Sequence, residues 1–222
     1  ETPITETEIE QLETLITSLS RLQGLPMYDW VEGLLTNLRY RFGLRGTEAN
    51  FIGFEQNRDM AGLRHLSNLT NCIIKHQPVV IDYHPFGKEV IQWTIHPYYL
   101  KQYNNRWYLL GYNPEFDDLS IIPLDRIENV TYSEVTFKRN LDFNFDAYFR
   151  DILGISIEKD KEVEHIRLKF SPQRLPYVIS KPIHHTQKVE DAAEGIISLY
   201  LIPNKELVSE LIWFRDDVEI LS

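Results

Sequence analysis

The chain has 222 residues, 43% hydrophobic and 25% charged, which is the composition of a folded globular protein rather than a disordered one. Its 33 acidic and 23 basic side chains give a net charge of −10, and none of the segments distinguished below is basic overall. Because phosphate contacts supply most non-specific affinity for duplex DNA, we expect these residues alone to bind it poorly. A single cysteine, Cys72, excludes an internal disulfide, and no apolar run reaches the ~20 residues of a membrane helix. We therefore expect a cytoplasmic protein without a membrane segment.

The first 76 residues have the hydrophobic spacing of helices. Apolar side chains recur three and four residues apart in three stretches, which we predict to be amphipathic helices. The first begins at the capping box Thr5-x-x-Glu8 and the second at Asp29-x-x-Glu32. The third carries the apolar stripe Leu63, Leu66, Leu69, Ile73 and Ile74. Residues 1–76 are thus predicted to be a helical connector, whose first helix could pack against the core or against a partner chain.

From residue 77 the hydrophobic period changes to two, which is typical of strands. Short strands are predicted at Val79 to Tyr83, Val90 to His96, Tyr98 to Tyr103, Arg106 to Tyr112, Ser120 to Pro123 and Ile127 to Thr136. His96-Pro97 predicts a break, because proline cannot donate to a central ladder. Asn104-Asn105 predicts a tight hairpin, since asparagine tolerates positive φ. So many short strands without an intervening helix predict a small, strongly bent barrel or rolled sheet over residues 77–137.

A second unit is predicted at residues 163–222, after a mixed-charge linker at 138–162 with one short helix from Phe145 to Leu153. Its six elements are predicted at Val163 to Phe170, Ser171 to Val178, Ile183 to Val189, Ile196 to Ile202, a helix capped by Asn204 that carries Leu207, Leu211 and Ile212, and Val218 to Leu221. The order strand, helix, strand, strand, helix, strand is the ferredoxin-like split pattern. The predicted fold class is α+β: a helical connector, a small barrel and a ferredoxin-like domain.

The sequence contains no constellation typical of an enzyme or a metal site. It has no Gly-rich phosphate loop, no Gly-x-Ser-x-Gly and no paired Cys-x-x-Cys. His184 and His185 are adjacent in a predicted strand, so their rings should point to opposite faces and not share an ion. His84 and His96 on neighbouring strands could approach each other, but a metal would need further ligands. We expect no enzymatic activity, no cofactor and no metal.

Aromatic side chains are concentrated in the predicted barrel. Seven of the 12 tyrosines fall between Tyr83 and Tyr132, together with Trp93 and Trp107. Tyrosine rings and hydroxyls beside a few cations suit stacking on bases or holding a phosphorylated ligand. Aromatic residues are also good strand formers that fill a small barrel. Both interpretations are open from the pattern alone.

Residues 96–112 and the run Pro123-Leu124-Asp125-Arg126-Ile127 resemble the signature of the WYL domain of bacterial transcription regulators. The domain is named after a Trp-Tyr-Leu triplet, here Trp107-Tyr108-Leu109. A strand ending in Tyr83 and a proline before the hairpin agree with the family in order and spacing.

The flanking segments resemble the neighbours of WYL domains. The last sixty residues, with Phe170-Ser171-Pro172 and the closing Val218-Glu219-Ile220-Leu221, resemble the C-terminal extension called WCX. The helical start is similar to the connector that joins an upstream winged-helix DNA-binding head in this family. The resemblance therefore implies that duplex DNA would be bound only through a head upstream of Glu1.

The resemblance also implies an Sm-like barrel that binds a nucleotide or single-stranded nucleic acid as effector, in a protein that forms a homodimer. Carried over by position, the candidate ligand-binding residues are Tyr83, His96, Tyr108 and Arg126. The tyrosines offer hydroxyls or ring faces, the histidine a titratable donor, and the arginine a fork for phosphate.

The chain departs from the family at Ser120-Ile121-Ile122-Pro123, where many WYL domains carry arginines. The missing cations weaken the expectation of a polyanionic ligand. Arg126 could also form an ion pair that pins the barrel. The predicted function is the ligand-sensing and dimerising portion of a bacterial transcription regulator. The alternative is an interaction or oligomerisation module without small-ligand binding.

Overall fold

The computed structural model describes residues 62–140, 143–156, 158 and 160–222, together with Thr36, Asn37 and Tyr40. The first predicted helix lies outside the described residues, and the second is described only at those three helical positions. The chain divides after Asn140 into two compact units. None of the described helices is long and apolar enough to cross a membrane.

One helix and a five-stranded sheet make up the described part of the first unit. The elements are α1 (Leu63–Ile74), β1 (Val79–Tyr83), β2 (Ile91–Tyr103), β3 (Arg106–Asn113), β4 (Asp118–Pro123), a 3-10 helix (Leu124–Arg126) and β5 (Ile127–Tyr132). The strand order is β4-β3-β2-β1-β5, and all neighbours are antiparallel. Within the residues that the structure describes, β4 and β5 do not pair with each other. The predicted barrel is therefore an open sheet, because no ladder joins its two edge strands.

The long strand β2 runs through Pro97, where a break was predicted. Its first five residues pair with β1, and the residues from His96 onward pair with β3. The register shifts between Pro97 and Tyr99, so a bulge accommodates the proline inside the strand. A β-carbon at Gly111 would lie 2.5 Å from the His96 carbonyl oxygen, so glycine allows β2 and β3 to approach closely here.

The helix α1 covers one face of this sheet. Its buried positions are His65, Leu66, Leu69 and Cys72. The apolar ones, Leu66, Leu69 and Cys72, pack with Val79, Ile81, Tyr83, Ile95, Leu109, Ile122, Leu124 and Ile127. Each such aliphatic side chain contributes about 1.5–3 kcal/mol when fully buried. Ile74, predicted to be part of the apolar stripe, is 70% exposed because it lies on the solvent side of the last turn.

The second unit has the ferredoxin-like arrangement that the sequence predicts. Its elements are α2 (Phe145–Arg150), β6 (Glu164–Phe170), α3 (Leu175–Ser180), β7 (Lys188–Asp191), β8 (Ile196–Leu201), α4 (Lys205–Phe214), a 3-10 helix (Arg215–Asp217) and β9 (Val218–Ile220). The sheet order is β7-β8-β6-β9, antiparallel throughout. The Asn204 side chain accepts a hydrogen bond from the Leu207 amide at 3.0 Å, which confirms the predicted helix cap.

The predicted strand from Ile183 to Val189 is wrong over its first five residues. A side-chain hydrogen bond replaces the ladder here: the Gln187 side-chain oxygen Oε1 accepts from the Ile183 backbone amide at 3.0 Å. His184 and His185 consequently do not point to opposite faces, and their ring centroids lie 4.2 Å apart. On α4, Ile212 is 69% exposed, and Phe214 is buried together with Leu207 and Leu211.

Candidate ligand-binding site

Four aromatic rings and one guanidinium group lie close together in the first unit, and we call them the arginine–aromatic surface. Its members are Tyr83, Phe86, Trp93, Phe116 and Arg126. Tyr83 ends β1, Phe86 lies in the turn that follows, and Trp93 is on β2. Phe116 lies in the turn between β3 and β4, and Arg126 in the 3-10 helix before β5. The sheet order therefore brings together residues that are up to 43 positions apart.

Three of the aromatic rings are in contact with one another. Tyr83 stacks on Trp93 with ring centroids 4.7 Å apart, and the edge of Phe116 meets Trp93 at 5.5 Å. Tyr83 is buried, Trp93 is partly buried, and Phe116 is 55% exposed. Tyr83 and Trp93 thus form the packed base of this surface, and the Phe116 side chain is open to solvent. Offset stacks and edge contacts of this kind contribute about 0.5–1.5 kcal/mol each beyond area burial.

Arg126 is placed by aromatic contacts rather than by a carboxylate. Its guanidinium carbon lies 3.9 Å from the centroid of the Phe86 ring, and its Nη1 donates to the Tyr83 hydroxyl at 3.4 Å. The buried Nε of Arg126 has no hydrogen-bond partner. Within the described part of the chain no carboxylate pairs with Arg126, and the neighbouring Asp125 pairs with Arg106 at 3.2 Å. An arginine remains charged at any pH of interest, so the side chain retains donors for an acceptor group.

Both signs of charge border this surface. His84 Nδ1 lies 2.8 Å from a carboxylate oxygen of Glu128. Arg64 of α1 donates to the backbone carbonyl of Glu128 at 3.1 Å. Glu128 therefore offsets much of the positive charge of Arg64, and Arg126 is the cation best placed to meet a ligand on the aromatic rings.

The four residues predicted from the sequence are divided between two faces of the sheet. Tyr83 and Arg126 contact each other directly. Tyr83 shares a face with Ile95, because β1 and β2 are paired and side chains alternate along a strand. His96 therefore points to the opposite face, and Tyr108 does too, because it neighbours the core residue Leu109.

His96 is 4% exposed, and its Nδ1 accepts a hydrogen bond from the Lys138 amide at 3.0 Å. Its ring packs against Tyr112 and Phe137 at centroid distances of 5.6 and 5.7 Å. Burial, with a smaller effect of the Lys138 charge, lowers the pKa of His96. Tyr108 lies between Lys101 of β2 and Pro123 of β4 and is partly buried.

Sequence reasoning missed Phe86 and Phe116. Both lie in turns, where a large aromatic side chain gains little from strand pairing, and Phe86 is 73% exposed. An aromatic residue beside a glycine turn such as Gly87, which has φ 69°, is a signal that could have found one of them. No group of three or more His, Cys, Asp or Glu side chains in the described regions could hold a metal ion.

Residues 64–132 match the family model of the WYL domain. This part of the chain is a WYL domain. The match covers almost all of α1 and every element up to the end of β5, so the arginine–aromatic surface lies wholly within it. The match confirms the predicted WYL domain over these residues.

Two solved structures are similar to the chain. One is the proteasome accessory factor B/C (PafBC) of Arthrobacter aurescens, which is 15% identical over 96% of this chain and 33% of that chain, with a TM-score of 0.35. The other is a CRISPR Cas-related protein, 11% identical over 100% of this chain and 70% of that chain, with a TM-score of 0.51. The second likeness shows a shared fold. The chain spans about a third of the PafBC chain, and a search of curated proteins finds no match.

Proposed function

We propose that the WYL domain is the sensing domain of a bacterial transcription regulator, and that a nucleotide or single-stranded nucleic acid binds on the arginine–aromatic surface. The observation that carries the proposal is the state of Arg126. Its guanidinium lies against Phe86, beside the Tyr83 hydroxyl, with a buried Nε that lacks a partner. Because Arg126 has no ion pair among the described residues, the accessible donors of its guanidinium can bind a ligand oxygen without first breaking a salt bridge.

The exposed rings supply the second part of the argument. Phe86 and Phe116 are both more than half exposed; Phe116 meets the packed Tyr83–Trp93 stack, and Phe86 lies under the Arg126 guanidinium. Every nucleic-acid base has a flat face, and stacking on an aromatic side chain contributes about 1–3 kcal/mol per base. One cation beside several rings favours a ligand with few phosphates over a long polyanion. The serine, isoleucines and proline at 120–123, where many WYL domains have arginines, point the same way.

His96 and Tyr108 would take part only if the ligand reaches around to the second face of the sheet. We therefore place the primary contacts at Tyr83 and Arg126, with Phe86 and Phe116 as stacking partners. His96 and Tyr108 remain predicted ligand-binding residues whose role depends on the length of the ligand.

We further propose that residues 163–222 are a WCX extension, which their ferredoxin-like strand order supports. In this proposal the protein is a cytoplasmic homodimer without catalytic activity, and a winged-helix head upstream of Glu1 binds duplex DNA. Ligand binding on the WYL domain would then change the affinity of that head, which is allostery between two distinct sites.

Titration of the purified chain with short single-stranded oligonucleotides and with mononucleotides tests the binding step. Arg126→Ala should weaken binding by about ten- to more than a hundredfold, the equivalent of the 1.5–3 kcal/mol of a hydrogen bond to a charged group. Phe86→Ala should also weaken binding, with little change in melting temperature because the ring is exposed. Arg167→Ala is the matched control: it removes the same charge from β6 of the other unit, where the arginine pairs with Glu190 at 2.8 Å.

The results separate the two candidate functions. Loss of affinity in Arg126→Ala but not in Arg167→Ala, with both variants folded, would support sensing on this surface. If the wild-type chain binds none of these ligands, or folded Arg126→Ala binds as well as wild type, the sensing proposal fails. The interaction or oligomerisation module would then be the better description.

A further inference from the structure

A segment without regular secondary structure, residues 134–140, crosses the second face of the WYL sheet, and we call it the strap. It begins next to Ser133, whose amide donates to the Pro78 carbonyl at 2.9 Å and whose carbonyl accepts from the Gln77 side chain at 2.7 Å. It ends at Asn140, after which the chain enters the second unit. The strap is therefore anchored at its start by the two hydrogen bonds of Ser133.

Lys138 attaches the strap to the sheet through both its backbone and its side chain. Its amide donates to His96 Nδ1 at 3.0 Å, and its carbonyl accepts from the Tyr98 hydroxyl at 2.6 Å. Its ammonium group lies 3.5 Å from the Tyr112 ring centroid and 3.5 Å from an Asp117 oxygen. The other large contact is Phe137, whose ring meets those of His76, His96 and Tyr98 at centroid distances of 5.2 to 5.7 Å.

The hydrogen bond between His96 and Lys138 exists only in one protonation state. Because the Lys138 amide is a donor, His96 Nδ1 must present a lone pair, so the ring is neutral and carries its proton on Nε2. If Nδ1 were protonated, two N–H donors, that of His96 and that of the Lys138 amide, would face each other at 3.0 Å in a buried environment, with no acceptor between them. It would also put a second positive charge close to that of Lys138. We infer that His96 is a proton-operated latch that holds the strap on the sheet when neutral and releases it when protonated.

The other ionisable groups around His96 keep their charge state between pH 5 and 8. Contacts with Tyr112 and Asp117 raise the pKa of Lys138, and hydrogen bonding from Tyr112, followed by the Lys138 charge, lowers the pKa of Asp117. Burial raises the pKa of Tyr98. Histidine is the residue type that ordinarily titrates in this range, so His96 is the group in this contact set whose charge can change.

The direction of the pH effect follows from the buried state of His96. Burial lowers the pKa of His96 below its ordinary value of 6.5, and release of the strap would expose the ring and raise that pKa toward the ordinary value. The released state therefore binds more protons than the closed state as the pH falls. The strap is consequently bound to the sheet most firmly above pH 6.5, and its binding weakens below that pH. At pH 5.0, 1.5 pH units below that value, protonation can favour release by up to about thirtyfold. Release frees seven residues, which span up to about 24 Å when fully extended.

Hydrogen exchange of the Lys138 amide, corrected for the intrinsic effect of pH, measures the latch directly. From pH 7.5 to pH 5.0 its protection should fall by up to about thirtyfold. The Ser133 amide, which bonds to a carbonyl rather than to a histidine, should change far less. A local measurement is needed because burial also lowers the pKa of His65 and His184, so overall stability falls at acid pH for other reasons too.

Three variants isolate His96. His96→Asn retains an acceptor that cannot be protonated in this range, so the Lys138 protection should no longer depend on pH. His96→Leu removes the acceptor and should leave the amide weakly protected at both pH values. His76→Asn removes the other histidine that contacts Phe137 and should retain the wild-type pH dependence. The inference is wrong if wild-type protection of Lys138 falls no more than that of Ser133, or if the loss persists in His96→Asn or His96→Leu. The inference about His96 does not depend on whether a ligand binds to the arginine–aromatic surface.

Discussion

Gly111 of β3 offers a sharp test of the packing argument for the WYL sheet. A β-carbon added there would lie 2.5 Å from the His96 carbonyl oxygen and 2.7 Å from Cγ2 of Ile95. β3 is hydrogen-bonded on both sides, with Pro97 and Ser120 opposite Gly111. The strand therefore cannot move away from one neighbour without disturbing the other. Gly111→Ala should be strongly destabilising although the added group is a single methyl.

The expected cost is about 3 kcal/mol, the upper part of the range for overpacking, because the atom in the way is backbone and not a flexible side chain. A domain of 60–100 residues, the size of the WYL domain at 64–132, loses about 4–8 °C in melting temperature per kcal/mol, so this domain should melt about 12–24 °C lower. Gly87→Ala is the matched control. Gly87 has φ 69° with nothing within 4 Å of the added carbon, so only backbone strain of about 1 kcal/mol applies there.

Thermal unfolding followed by tryptophan fluorescence in a Trp213→Phe background would report on the first unit. The tryptophans of the described residues that remain, Trp93 and Trp107, both belong to that unit. A much larger loss for Gly111→Ala than for Gly87→Ala is expected. Equal losses in the two variants would refute the close approach of β2 and β3 at the bulge.

Three further predictions follow from the surface of the protein. Light scattering should show that the protein is a dimer at micromolar concentration. Ile212→Asp on the exposed face of α4 should shift the protein toward monomer, whereas the control Ile74→Asp on α1 should not. A monomeric wild type would contradict the prediction of a dimer. The chain should bind duplex DNA weakly because its net charge is −10; a tight, steeply salt-dependent affinity would show a basic patch that this reasoning missed. Tyr108→Phe should weaken single-strand binding less than Arg126→Ala does, and an equal or larger loss would mean that the Tyr108 hydroxyl holds the ligand.

Local features were predictable because they depend on neighbours in the sequence. Asn104 and Asn105 have φ of 46° and 57°, as the hairpin signal requires, since both must adopt a left-handed conformation. Asn204 caps α4 because its side chain reaches an amide three residues later. The Trp-Tyr-Leu signature was likewise sufficient to recognise the WYL domain, because the order and spacing of its motifs are properties of the chain alone.

Tertiary structure decided the features that depend on residues far apart in the chain. Pro97 lies within β2 and does not end it, because β1 and β3 pair with the strand on either side of a bulge. Arg126 forms no ion pair among the described residues, because Asp125 is taken by Arg106 and the guanidinium lies on Phe86, 40 residues earlier. Hydrophobic period indicates which side of a strand is buried but not which distant side chain will cover it. The sequence alone therefore determined the domain and its candidate residues, and long-range packing decided which of them share a face.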